Sequence, residues 1–320
     1  MKIALVSGAE AEYDLQEPDS FPSSYFFSIE RSGSSLFWYI VTDLLKEAGR
    51  SYCEPLEHLF TQGITRSQID TNALRALLAR PGYAFGMLRS LDEAVQGLDL
   101  SQNKKFLLIR DPRDVLVSLY FSMAGSHWVP AEGRAREEIL KTRELTTGSV
   151  GEFATSEVLG NIHGRYSEYR QFCERHGDVT IFRYEDVIFD KMSWITRLIK
   201  LLALAVPSNA ARRIADKHDR LPTKERPSEN VRQVRPGNWK AHLDEKSIAR
   251  IEEMFSREMA FFGYVPEVAF TDTFHQFLPQ FCTAVAQRLS SAEDQMFGAA
   301  RERRRVRQTL CHRISSFLKL

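Results

Sequence analysis

Three short stretches gather arginine, hydroxyl and glycine in patterns suited to an anion. In "IERSGSSLF" (29–37) an apolar run breaks at a small-residue loop and resumes as an amphipathic helix. Gly33 permits a tight turn, and Ser32, Ser34 and Ser35 set hydroxyls beside the N–H groups that open the helix. Arg31 adds a fixed charge with several donors, so the loop reads as a cradle for phosphate or sulfate. The same residues would also serve an ordinary strand-to-helix turn with a serine cap. "KFLLIRDPRDVLVSLYFSM" (105–123) is a second strand-loop-helix unit. Asp111 is expected to cap, Pro112 suits the first helical turn, and Asp114 follows the cap by three residues as in a capping box. Arg110 then stands at the carboxyl end of the strand and Ser118 two turns into the helix, an arginine and a hydroxyl placed to grip one phosphate. In "VRQVRPGNWKAH" (231–242), Arg232 and Arg235 flank a Pro-Gly turn before Trp239 and Lys240. A basic loop is ordinarily a solvated one, but beside two other anion sites it reads as a third contact.

These loops need elements to hold them. Apolar, β-branched and aromatic runs recur at 25–29, 83–88, 105–109 and 179–184, with 51–53 a weaker candidate. Helical patterns lie between or after them at 34–48, 65–79, 111–124, 157–176, 188–204 and 245–262. Such alternation predicts an α/β fold with a parallel sheet covered on both faces and ligands at the carboxyl ends of its strands. Residues 219–238, rich in Pro and Arg, form a long irregular segment of the kind that is functional or disordered. The expected domains are 1–266, carrying the sites, and 267–320, a C-terminal helical extension.

Composition narrows the classes. A formal net charge of +1, with 43% apolar and 27% charged residues, supplies no protein-wide field for nucleic acid, so anion sites must be local. Cys53, Cys173, Cys282 and Cys311 are scattered singly, which points to a reduced, cytoplasmic chain with no metal site. No GxxxxGK[ST] loop occurs, which argues against a nucleotide kinase, and no segment approaches the roughly 18 apolar residues of a membrane span. The basic, amphipathic end of the chain, "RERRRVRQTLCHRISSFLKL", would suit an anionic membrane surface, the domain itself or a second subunit.

Together these stretches resemble the sulfotransferases that use 3′-phosphoadenosine 5′-phosphosulfate, PAPS. "RSGSS" looks like their 5′-phosphosulfate loop in its carbohydrate-sulfotransferase form, and "IRDPRDVLVS" like their 3′-phosphate unit. "RYEDV" (183–187) is similar to the segment whose Tyr lies by the adenine, and "RQVRPGNWK" to the RKGxxGDWK loop that closes over the nucleotide. The order is the family's, from about Tyr25 to Tyr264. The resemblance implies a P-loop-like sheet, PAPS as donor with 3′-phosphoadenosine 5′-phosphate (PAP) as product, and no metal. It implies cofactor contacts from Arg31, Ser32, Gly33, Ser34, Ser35, Arg110, Ser118, Tyr184, Arg232, Gln233 and Arg235, with Arg31 also neutralising the leaving phosphate oxygen. Leu36 stands where many relatives carry an aromatic residue, and Gln233 and Val234 replace the Lys-Gly of the closing loop.

Sulfuryl transfer to a hydroxyl needs a group to take its proton. The strand that carries a KTH base in cytosolic relatives, "YAFGMLRSL", has no His. "YCEPLEHLF" (52–60) resembles the EPL-x-H element of carbohydrate sulfotransferases, which makes Glu54 the first candidate and His58 its neighbour. His127, after the helix that carries Ser118, is the second candidate, and Arg89 would bind an anionic acceptor or form an ion pair. The expected acceptor is a saccharide or glycolipid. The alternatives are a small hydroxylated metabolite, or a non-catalytic nucleotide-binding or membrane-adaptor role.

Overall fold

The computed structural model describes residues 1–219, 234–267, 277, 279–280 and 283–284. The chain divides into a unit Met1–Phe255 and a unit Ser256–Leu320. The first opens with an antiparallel hairpin, β1 (Lys2–Ala4) and β2 (Glu10–Glu12). There follow β3 (Ser24–Ser28), α1 (Ser34–Glu47), β4 (Tyr52–Cys53), α2 (Pro55–Thr61), α3 (Thr71–Leu78), β5 (Ala84–Leu88) and α4 (Glu93–Gln96). Then come β6 (Lys104–Ile109), α5 (Pro112–Phe121), α6 (Arg134–Glu144), α7 (Val150–Ala154), α8 (Glu157–His176) and β7 (Thr180–Arg183). The unit closes with α9 (Tyr184–Val187), α10 (Lys191–Leu202), α11 (Ser208–His218) and α12 (Glu245–Met254). In the second unit, α13 (Ser256–Phe262) ends at Gly263, φ 72°, and the Tyr264 N–H returns to the Met259 carbonyl at 2.8 Å.

Strands β4-β5-β3-β6-β7 form one parallel sheet with β3 at its centre. Both β3 and β5 are buried throughout, and apart from Ser24 and Ser28 at the ends of β3 they read as apolar runs, because helices cover both faces. The two-residue period of β3 sends neighbouring rings to opposite layers. Phe26 meets Phe37 and Trp38 of α1, whereas Phe27 meets Tyr169 and Phe172 of α8. On the first face, α1, α10 and α11 share one apolar cluster with the sheet.

The expected strands all form, and α8 has the expected bounds. Three expected helices are cut by caps or breaks. The stretch 65–79 becomes a 3₁₀ turn, Arg66–Gln68, and then α3, because the Asp70 carboxylate accepts from the Ala73 N–H at 2.8 Å. Asp190 likewise starts α10 by accepting from the Ser193 N–H at 3.0 Å, and 245–262 breaks at Phe255. Sequence patterning did not anticipate the hairpin or helices α2, α6, α7 and α11. Of the expected extension 267–320, almost all lies outside the described residues.

Candidate active site

The loop after β3 curls tightly into α1. Arg31 at φ 62° and Gly33 at φ 86° both occupy the left-handed region, which is costly for arginine and natural for glycine. Gly33 is the N-cap of α1 and supplies no side-chain cap, so the first-turn N–H groups face outward without one. A Cβ on Gly33 would stand 2.8 Å from the Tyr184 ring, so glycine lets the loop lie against that tyrosine. The Ser32 hydroxyl is fully buried and has no hydrogen-bond partner among the described residues.

The loop after β6 locks onto the first. Asp111 caps α5 by accepting from the Arg113 N–H at 2.9 Å, and its own N–H donates to Glu185 Oε1 at 2.8 Å. Arg110 donates from Nη1 to the Arg31 carbonyl at 3.1 Å and lies 4.4 Å from the centre of the Tyr184 ring. Arg31 Nε in turn donates to Ser118 Oγ at 3.2 Å. Arg110 is 6% exposed, and its Nε has no hydrogen-bond partner among the described residues. Burial opposes its charge, but Asp114, Tyr184 and Glu185 outweigh burial and keep it protonated.

Asp114 does not complete a capping box. It faces Arg110 Nη2 at 3.6 Å and accepts from the N–H groups of Gly237 at 2.8 Å and Trp239 at 3.0 Å. The described part of the third basic stretch is thereby tied to the start of α5. Arg113 reinforces the junction, lying 4.0 Å from the Trp239 ring while pairing with Asp111 at 2.6 Å and with Glu252.

These elements enclose a cavity of about 560 Å³. Arg31, Gly33, Ser34, Ser35, Arg110 and Ser118 line it, and Tyr184 joins them. Leu36 packs beside Tyr184, Ile188 and Val234 as an apolar wall. Arg235 is exposed and outside the lining, to which Val234 and Asn238 contribute instead. Arg232 and Gln233 lie outside the described residues.

A second group of charges gathers at the ends of β4 and β5. Glu54, between β4 and α2, accepts from Trp38 Nε1 at 2.5 Å, while its N–H donates to the Tyr13 hydroxyl at 2.9 Å. Burial, and then the neighbouring Glu57, push its carboxyl up to about 7 against the Trp38 bond and the Arg89 charge. Arg89 pairs with Glu57 at 3.0 Å, and both side chains are substantially exposed, 38% and 44%. His127 is pushed down to about 4 by burial and by Arg31, Arg89 and Arg143, which places it among the same charges. Its Nδ1 is 3.3 Å from Ser122 Oγ. His58 is exposed, with Nε2 2.9 Å from Gln62 Nε2 and its ring edge-on to Tyr13, so it faces the hairpin side.

The sequence matches the sulfotransferase domain over residues 91–263, more than half of the chain. The chain belongs to this family. Among solved structures, mouse sulfotransferase SULT7A1 complexed with PAP shares the fold at TM-score 0.54, with 13% identity over 82% of this chain and 89% of that one. Retinol dehydratase is also similar, in complexes with androsterone and inactive cofactor PAP and with retinol and PAP. Those two have 17% identity and TM-scores of 0.40 and 0.43, over 74% of this chain and 80% and 81% of theirs. No curated protein matches significantly.

Several residues that line this cavity carried no motif. Tyr39, Asp43 and Lys46 on α1 and Lys217 and His218 on α11 also line the cavity. Asp43 Oδ2 lies 2.7 Å from both Lys217 Nζ and His218 Nε2. The spacing of Tyr39, Asp43 and Lys46 on one helix was the available signal, because positions three and four apart share a face. Nothing local connects them to residues some 175 positions away.

Proposed function

We propose that this sulfotransferase takes PAPS as donor and transfers its sulfuryl group to a hydroxyl of a saccharide or glycolipid. One observation carries the donor reading: Arg31 and Arg110, from different strand ends, meet at one cavity, where Arg31 joins Ser118 through its Nε and Arg110 through its carbonyl. A ligand with anions at two positions fits that pair. The Arg110 Nε, without a hydrogen-bond partner among the described residues, and the Gly33 cradle are consistent with it. The apolar wall at Leu36, Ile188 and Val234 beside Tyr184 suits the adenine, without the aromatic residue that relatives carry at position 36.

PAPS, when bound, supplies a sulfuryl group already activated for transfer. Arg110 and Ser118 hold the 3′-phosphate, joined by Arg232 and Gln233 from the basic stretch, with Arg235, exposed outside the cavity lining, contributing least. Ser32, Gly33, Ser34 and Ser35 cradle the 5′ end, and Arg31 neutralises charge as it develops on the departing phosphate oxygen. Glu54 takes the proton of the attacking hydroxyl. A carboxyl pushed up to about 7 is matched to that task, whereas an imidazole held near 4 is a weak base at neutral pH. Trp128, 55% exposed and edge-on to Phe60 at 6.2 Å, follows His127 directly and supports the saccharide reading, since an exposed ring can pack against the C–H face of a sugar. The catalytic part in this proposal is 1–266, with 267–320 an appendage.

Calorimetric titration with PAP, with adenosine 5′-phosphosulfate and with Mg-ATP tests the donor. Tight, metal-independent binding of PAP and much weaker binding of the compound lacking a 3′-phosphate are expected, and preference for Mg-ATP would overturn the reading. A panel of methyl glycosides, a glycosylceramide and a simple phenol, each with radiolabelled PAPS, then tests the acceptor. Transfer to the phenol alone would overturn the saccharide assignment.

A further inference from the structure

Glu54 occupies the N-cap position of α2, yet its side chain accepts from none of that helix's N–H groups. A short carboxylate such as aspartate at an N-cap does so, because it satisfies orphan donors and faces the positive end of the dipole. Glu54 is instead turned onto the Trp38 indole, whose Nε1 donates to Oε2 at 2.5 Å. Trp38 belongs to α1, which opens at the cradle residues, and it is only 3% exposed. Its ring lies across β5 at Gly86, where a Cβ would stand 2.2 Å from the indole. Any larger residue there would displace the ring that reaches Glu54. The Tyr13 hydroxyl, accepting the Glu54 backbone N–H at 2.9 Å, holds the corner from the hairpin side.

We propose that Trp38, seated by Gly86, is the positioning residue of the proton-accepting carboxylate. It aims Glu54 away from its own helix and favours the ionised form, and it couples the acceptor side to the helix that begins at the donor cradle. The proposal rests on the reading of Glu54 as the base. A donor bonded to a carboxylate stabilises the charged form, so the indole pulls against burial. The groups acting on Glu54 are Glu57, which raises its pKa, Arg89 and the Met87 backbone, which lower it, and the neighbouring Tyr13 and Cys53.

The first test uses the unmodified full chain, labelled with ¹⁵N at its four tryptophans. One indole N–H resonance is expected to titrate with a midpoint near 7, and that titration should vanish in Glu54→Gln. If no indole proton follows such a midpoint, the proposal is overturned. In the second test, Trp38→Phe and Gly86→Ala are each expected to raise the ¹³C-observed Glu54 midpoint by about one pH unit, the scale of one hydrogen bond to a charged group. Transfer to the methyl glycosides below that midpoint should fall about tenfold, with PAP affinity unchanged. An unmoved midpoint in either variant overturns the proposal. Full turnover by Glu54→Gln would overturn the base reading and this inference together. Loss of turnover by Glu54→Gln with an unmoved midpoint in both variants would overturn the inference alone.

Discussion

The proposed donor cavity and the proposed acceptor edge stand at the carboxyl ends of one sheet, yet they hold charge in opposite ways. Around Arg110 the charges are buried and matched at short range: Asp114 answers Arg110, and Asp111 and Glu252 answer Arg113. Around Glu54 they are partly exposed, and both titratable candidates are pushed towards their uncharged forms, Glu54 up and His127 down. A region that grips fixed anions needs charge that does not vary with pH. A region that moves a proton needs a group poised near neutrality, which burial beside a like charge provides.

Glu54→Gln would break the contrast most sharply. Loss of transfer by about 10²- to 10⁴-fold, with unchanged PAP affinity by calorimetry, is the expected result. Arg110→Ala should do the reverse and weaken PAP binding by about 2–5 kcal/mol, since it removes a buried charge and leaves Asp114 unanswered. Gly33→Ala should cost about 1–2 kcal/mol of PAP affinity, because alanine resists the left-handed backbone and its methyl would meet Tyr184. The pH profile sharpens the comparison. A base must lose its proton before it acts, so transfer should rise with pH through about 7 and then level off. Glu57→Gln removes a neighbour that raises the Glu54 pKa and should move that rise to lower pH. Arg235→Ala, at an exposed position outside the cavity lining, should change PAP affinity least, by no more than about 1 kcal/mol.

The donor half was the more legible of the two because its signals are local. "RSGSS" and "IRDPRD" each compress a strand end, a turn and a helix start into a few residues whose types answer to backbone geometry. Asp114 shows the limit of such reading. Its position suggested a capping box, but its carboxylate goes to Gly237 and Trp239, which no short-range rule could connect with it. On the acceptor side the residue types were visible in Glu54, Arg89 and His127, but their assembly was not. Trp38 read as one more apolar position of an amphipathic helix, and only its contact with Gly86 and Glu54 reveals another use.

From its order of residues alone, the chain determined its alternating strands and helices, the two arginine-bearing strand ends and the family they resemble. Each depends on interactions within a few residues, on period and on turn chemistry. The tertiary structure decided that Arg31 and Arg110 join through a carbonyl, and that Asp43 meets Lys217 and His218. It also decided that burial and the charge of Glu57 push the Glu54 carboxyl up to about 7, against the Trp38 bond. Those outcomes depend on burial and on which distant side chains share a cavity, quantities set by packing in three dimensions.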